Sequence, residues 1–185
     1  MNNKKKVALG SLLLGVIGTG AYLINSRKEK KKVEFKTVQA FELKKFLGRW
    51  YEIARIDFKY EKNLSNCIAK YIINDDGSFV VINTGYDKKK KIWKKSEGKA
   101  KVVDEKNGKL KVSFFSFFYN ALNVVDIDEN YQNALLAGKN HDYLWILSRD
   151  KEIDDSVRER FLTKAKSLGY DTNRLLWTSQ VPIES

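Results

Sequence analysis

The sequence predicts an all-β protein: an eight-stranded up-and-down antiparallel β-barrel with a C-terminal helix and a short ninth strand, preceded by an N-terminal apolar helix. Three observations carry this. Eight short apolar or alternating runs follow one another with brief connections, and they are rich in β-branched and aromatic residues. The period then changes to helical spacing near residue 155. No βαβ unit, internal repeat or phosphate-binding loop interrupts the series. Eight consecutive antiparallel strands leave two exposed edges unless they close on themselves, and closure into a barrel removes both.

The elements follow in order. Residues 1–6 are basic, and the run from Val7 to Ile24 carries no charge. As a helix at about 1.5 Å per residue that run would span about 27 Å, close to the hydrocarbon thickness of a bilayer. No clear A-x-A site precedes position 25 and no Cys follows the run, which favours an uncleaved anchor over a signal peptide or a lipid-modified cysteine. Arg27 to Lys32 form a basic cluster suited to anionic headgroups. Domains are therefore expected at 1–32 (anchor or signal segment), 33–45 (linker) and 46–182 (barrel). The strand candidates are 48–58, 66–74, 79–86, 92–103, 109–115, 119–128, 131–139 and 142–149. Asp75-Asp76-Gly77-Ser78 and Asn107-Gly108 mark tight turns between them. Val157, Phe161, Ala165 and Leu168 share a helix face, with Asp154 or Asp155 to cap its start and Gly169 to end it. Residues 175–178 form the last strand.

Composition excludes several functions. The formal net charge is +12, but much of the excess sits in residues 1–32, where eight basic side chains face the single acid Glu29. The body lacks the basic stripe that a phosphate backbone needs, and the Lys88–Lys91 run reads as a solvated hairpin loop, so no nucleic-acid partner is expected. One Cys (Cys67) and one His (His141) preclude an intrachain disulfide, a Cys-based zinc cluster and a two-histidine dyad. No metal or cofactor is expected.

At Gly48-Arg49-Trp50-Tyr51-Glu52 the sequence resembles the lipocalin family, whose first strand carries a G-x-W signature. His141-Asp142-Tyr143 resembles the second signature, and Arg149, just after the eighth strand, matches the third. Residues 51–58, 75–86, 95–102, 110–119 and 142–149 look closer still to the bacterial lipocalins related to apolipoprotein D. The resemblance covers about residues 40–180. It departs at the amino terminus, where bacterial relatives often carry a lipid-modified Cys, and at His141, which stands where a Thr is usual. The resemblance implies structural roles for Gly48, Trp50, Asp142 and Arg149. Gly48 bends the backbone at the barrel base, Trp50 plugs the closed end, and Arg149 lies across its ring.

Strand parity then fixes the interior. With Trp50 inward, Glu52 and Ala54 follow it. The less charged faces of the next strands place Cys67, Ala69, Tyr71 and Ile73 inside, then Phe79, Val81 and Asn83, then Ser96, Gly98, Ala100 and Val102. The later strands contribute Leu110, Val112 and Phe114, then Leu122 and Val124, Ala134 and Leu136, and Tyr143, Trp145 and Leu147. Small residues alternate with aromatic ones, which suggests an open apolar cavity rather than a filled core. The expected ligand-binding residues are Ala54, Ala69, Tyr71, Phe79, Val81, Asn83, Ala100, Val112, Phe114, Leu122 and Trp145. Tyr71, Asn83 and Tyr143 offer hydrogen bonds to a carboxyl or headgroup. Glu52 requires an Arg or Tyr hydroxyl beside it, because an unpaired buried charge is costly. Ser116-Phe117-Phe118-Tyr119 forms an aromatic lip near the mouth.

The expected function is binding and storage or transport of a fatty acid or (lyso)phospholipid at the bacterial cell envelope. The barrel lies outside the cytoplasm, on the periplasmic or outer-membrane side, and the N-terminal segment contacts the membrane. No catalytic residue is expected. The alternatives are a thiol-dependent lipid-modifying enzyme using Cys67, and a cytoplasmic basic adaptor with a filled barrel. His141 is expected at the closed end with Arg149, leaving no base beside Cys67.

Overall fold

The computed structural model describes residues 33–114 and 118–181. The expected apolar segment, Ser116 and Phe117 of the lip, and residue 182 lie outside the described residues. A short helix α1 (Leu43–Phe46) leads into β1 (Gly48–Ile56), β2 (Leu64–Ile73), β3 (Phe79–Asp87) and β4 (Ile92–Asp104). Then come β5 (Lys109–Ser113), β6 (Asn120–Ile127), β7 (Asn133–Ala137) and β8 (Leu144–Ser148). Helix α2 (Asp155–Ser167), a 3-10 turn (Thr172–Arg174) and β9 (Leu175–Trp177) complete the chain.

Each of β1 to β8 pairs antiparallel with the next, and β1 pairs with β8, so the sheet closes. The eight expected strands, the helix and the ninth strand are all present. Strand β9 pairs with the outer half of β1 through Ala54–Trp177 and Ile56–Leu175. It covers the gap where β1 parts from β2 beyond Tyr51 and Ile68. Gln180 completes the seam, its side-chain amide donating to the carbonyls of Glu52 and Cys67 at 2.7 and 3.0 Å.

Apolar burial falls into two layers. One lies inside the barrel and includes Phe46, Trp50, Tyr71, Leu110, Val124 and Leu136. The other lies between the barrel wall and α2, where Ile53, Ala54, Leu135, Ile146, Phe161 and Ala165 meet. The helix packs because Phe161 and Ala165, four residues apart, present one face to the sheet. Each large side chain so buried contributes about 1.5–3 kcal/mol. Residues 33–45, read from the sequence as a linker, pack as a strap. Val33 donates to the carbonyl of Lys139 at one end of the barrel, Val38 to that of Val124, and Phe41 to that of Lys106 at the other end, each at 3.0 Å. Phe35, Phe41 and Leu43 are buried along it.

The two ends differ. The connections 57–63, 88–91 and 138–143 lie at one end with Phe114, Phe118 and Tyr119, and 74–78, 105–108 and 128–132 at the other. The first end carries Lys59, Lys62, the Lys88–Lys91 run and Lys139 against Asp57, Glu61 and Asp142. The second carries Asp75, Asp76, Glu105, Asp128 and Glu129 against Lys106. The barrel is thus basic at one end and acidic at the other.

Candidate functional site

The acidic end is shut. Trp50 is fully buried, and its indole nitrogen donates to the Phe46 carbonyl at 2.7 Å. The Phe46 ring packs on Trp50 and Tyr71, with centroids 5.1 and 4.8 Å away. The Arg149 guanidinium lies 3.7 Å from the Trp50 ring centre. It also donates to the carbonyls of Lys45, Phe46, Leu47, Arg49 and Tyr131, capping α1 and the start of β1 together. Gly48 has φ +95°, and a Cβ there would lie 3.4 Å from the Arg149 guanidinium. The structure thus brings Gly48, Trp50 and Arg149 together. Asp142 stands elsewhere: it pairs with Arg174 at 3.3 Å at the opposite end. His141 is beside it, and this corrects the expectation that it joins Arg149. The two residues flank opposite ends of β8, so they cannot share an end of the barrel. The His141 ring instead lies edge-on to Phe35 and within hydrogen-bonding distance of the Leu168 carbonyl, 2.9 Å away.

Above the floor lies a cavity of about 680 Å³ that opens at the basic end. Its lining includes Ala69, Tyr71, Val81, Asn83, Val112, Phe114, Leu122 and Trp145 from the parity reading. Phe58, Tyr60, Phe118 and Tyr143 form its mouth. Phe79 and Ala100 point inward but are buried in the packed core rather than on this wall. The Asn83 side-chain oxygen is buried without a hydrogen-bond partner.

One parity assignment reverses, and two inward positions are not covered. Ala54 is fully buried, but on the outer face beneath α2. The register of β1 against β8 shifts between Glu52 and Ala54, a β-bulge at Ile53 that reverses the alternation. Ile73 and Val102 face inward by register yet remain 42% and 41% exposed, because they sit where their strands run past the packed floor.

The bulge has a chemical result, because it turns Arg55 inward. Its guanidinium is fully buried. It donates to Glu52 Oε1 at 2.5 Å, to Asp57 Oδ1 at 3.0 Å and to the Glu61 carbonyl at 2.8 Å. Burial lowers its proton affinity, but Glu52 and then Glu61 and Cys67 together more than offset this and hold it charged. Glu52 thus has the partner its position required. Arg55 also ties the 57–63 loop across part of the mouth, where Phe58 packs edge-on to Tyr143 and Trp145 at 5.3 and 6.0 Å.

Glu61 completes the cluster. One of its carboxylate oxygens accepts from the Trp145 indole at 3.1 Å and lies 3.7 Å from Arg55. Burial, then the Glu52 charge, pushes its carboxyl up to about 8. Glu52 and Glu61 compete here, beside Asp57, for one guanidinium, so the Glu52–Glu61 pair retains a proton far above the usual carboxylate range. Sequence reading missed Arg55 and Glu61. Strict alternation puts Arg55 outside, and Glu61 sits in a connection where parity says nothing. The only available signal was the need of Glu52 for a cation.

Cys67 lies against this cluster, its Sγ 3.8 Å from Arg55. Burial and then the Glu52 charge push the thiol well above its ordinary value, more than Arg55 lowers it. A nucleophilic thiol needs the opposite shift. Among the described residues no group of three or more metal-ligating side chains gathers.

Comparison with known proteins agrees with this architecture. The lipocalin-like domain family matches residues 41–180. The outer membrane lipoprotein Blc of Citrobacter freundii is 44% identical over 144 residues, spanning 77% of this chain and 81% of its own. Mouse apolipoprotein D is 30% identical over 150 residues, 76% of this chain and 77% of its own. Insecticyanin from the tobacco hornworm superimposes with a TM-score of 0.65 at 20% identity, covering 80% of this chain and 86% of its own, and so shares the fold. The signature residues, the closed barrel and these likenesses agree, and the chain belongs to the lipocalin family.

Proposed function

We propose that the protein binds and stores or carries a small hydrophobic ligand, a fatty acid or lysophospholipid, at the bacterial cell envelope. The observation that carries this reading is the cavity of about 680 Å³, apolar in its walls and open at one end. That volume falls within the range of small-molecule sites. Each methylene it takes from water contributes about 0.8 kcal/mol, so ten supply on the order of 8 kcal/mol before ordering costs. Polar groups are few and concentrated. The orphaned Asn83 oxygen suits a ligand hydroxyl, and the Glu61–Arg55 cluster at the mouth suits a headgroup. The envelope location is supported by the relatives named outer membrane lipoproteins and by the uncharged run from Val7 to Ile24. This run takes the place of a lipid-modified cysteine, since the one Cys is Cys67.

Native mass spectrometry of the protein from its host tests the reading. A copurifying lipid is expected, and a fluorescent fatty acid should bind at micromolar concentration and be displaced by it. Absence of both would remove the reading. Trp145 lines the cavity, so a brominated acyl chain should quench the fluorescence, and Trp145→Phe should abolish most of that quenching.

A further inference from the structure

Four large aromatic and apolar side chains stand exposed at the mouth, and two of them, Ile92 and Trp93, take no part in lining the cavity. Tyr60 is 58% exposed, Ile92 50%, Trp93 57% and Phe118 80%. They come from three separate connections or strand ends yet gather at one end of the barrel. That end is the basic one. The Lys88–Lys91 run is fully solvated beside Ile92 and Trp93, and Lys59 lies 4.5 Å from the Tyr60 ring centre. The acids there are held in pairs, Asp57 by Arg55, Asp87 by Lys94 and Asp142 by Arg174, so the lysine charge is not cancelled locally. Aromatic rings flanked by lysines are the composition of a protein surface that seats at a lipid–water interface.

The route of the chain points the same way. The strap begins at Val33, hydrogen-bonded to Lys139 at this same end. Eight residues separate Val33 from Ile24, the last residue of the uncharged run, a reach of about 30 Å when extended. Anchoring that run in a bilayer therefore keeps the mouth near the membrane. The other end offers exposed Ile73 and Val103, but among Asp75, Asp76, Asp104 and Glu105 against Lys106, a net negative charge that an anionic surface repels.

We propose that the mouth of the barrel docks on an anionic phospholipid bilayer, with Tyr60, Ile92, Trp93 and Phe118 in the interfacial layer and the Lys88–Lys91 run on headgroup phosphates. The cavity then opens directly onto the lipid surface. Docking depends on the rim and not on which ligand fills the cavity.

The test uses the full chain in a Cys67→Ala background, with an environment-sensitive fluorophore on Lys62→Cys at the mouth or Glu129→Cys at the acidic end. Each protein is reconstituted into vesicles of phosphatidylcholine alone or mixed with phosphatidylglycerol, containing a headgroup nitroxide lipid. The mouth label should shift to the blue and be quenched several-fold more than the Glu129 label in the mixed vesicles. Replacing Lys88 to Lys91 by Gln, or raising the salt until charges are screened, should cut that difference at least twofold. Equal quenching at both ends, stronger quenching at Glu129, or mouth quenching indifferent to phosphatidylglycerol and to the Lys→Gln changes would overturn the proposal. Ligand displacement, measured without vesicles, is independent of all these outcomes.

Discussion

The closed and open ends of this barrel solve opposite problems with the same strands. At the closed end the polar groups are consumed by structure. Arg149 spends its donors on five backbone carbonyls while stacking on Trp50, and Trp50 and Phe46 exclude water. At the open end a fully buried guanidinium, Arg55, faces acidic side chains that compete for it, and one of them keeps its proton to about pH 8. Carbonyls cannot titrate, so the partners of Arg149 do not change with pH. Carboxylates can, so the mouth responds to it. Rigidity and responsiveness are thereby separated along one axis.

The largest break in this comparison should come from the floor. Trp50→Ala removes a fully buried indole and is expected to cost about 3–5 kcal/mol in denaturant unfolding. A loss below about 1 kcal/mol would mean that the floor is not where stability resides. Arg149→Ala is expected to cost about 2–3 kcal/mol, since several carbonyls lose a charged donor, and Arg149→Lys should recover little because an ammonium cannot span that fork.

At the mouth the expected effect is one of slope. Folded Glu61 holds its proton to about pH 8, whereas its ordinary value is 4.5. Between those values the folded protein binds more protons than the unfolded chain, so stability falls as pH rises, by up to about 1.4 kcal/mol per pH unit from this group. Glu52 is raised as well, chiefly by burial, and shares this proton with Glu61. Glu61→Gln should make the decline visibly shallower between pH 5 and 8, and a parent protein with flat stability over that window would contradict the assignment. The smallest effect belongs to the rim. Trp93→Ala should change unfolding by no more than about 0.5 kcal/mol, because the side chain is 57% exposed. A large loss would give Trp93 a packing role instead of a surface one.

Much of the barrel was legible because period-two alternation and turn residues are local. Val81, Val112 and Leu122 could be placed on the wall by taking the less charged face of each strand. Ala54 could not, because one extra residue in β1 reverses the count, and nothing in GRWYEIARI marks where the bulge falls. The strap of 33–45 was obscured for a different reason. Its Phe35 and Phe41 lack any periodicity and are buried only because the outer wall and the 105–108 turn are there to receive them.

The sequence by itself determined the strands, the helix, the signature residues of the floor and the greasy alternation of the interior, since these follow from short-range spacing. Tertiary structure alone decided that Arg55, Glu52 and Glu61 share one buried site, that His141 and Arg149 lie at opposite ends, and that the barrel is basic at its mouth and acidic at its floor. Those outcomes depend on register and closure, and register is settled by the fit of whole strands against one another rather than by any one of them.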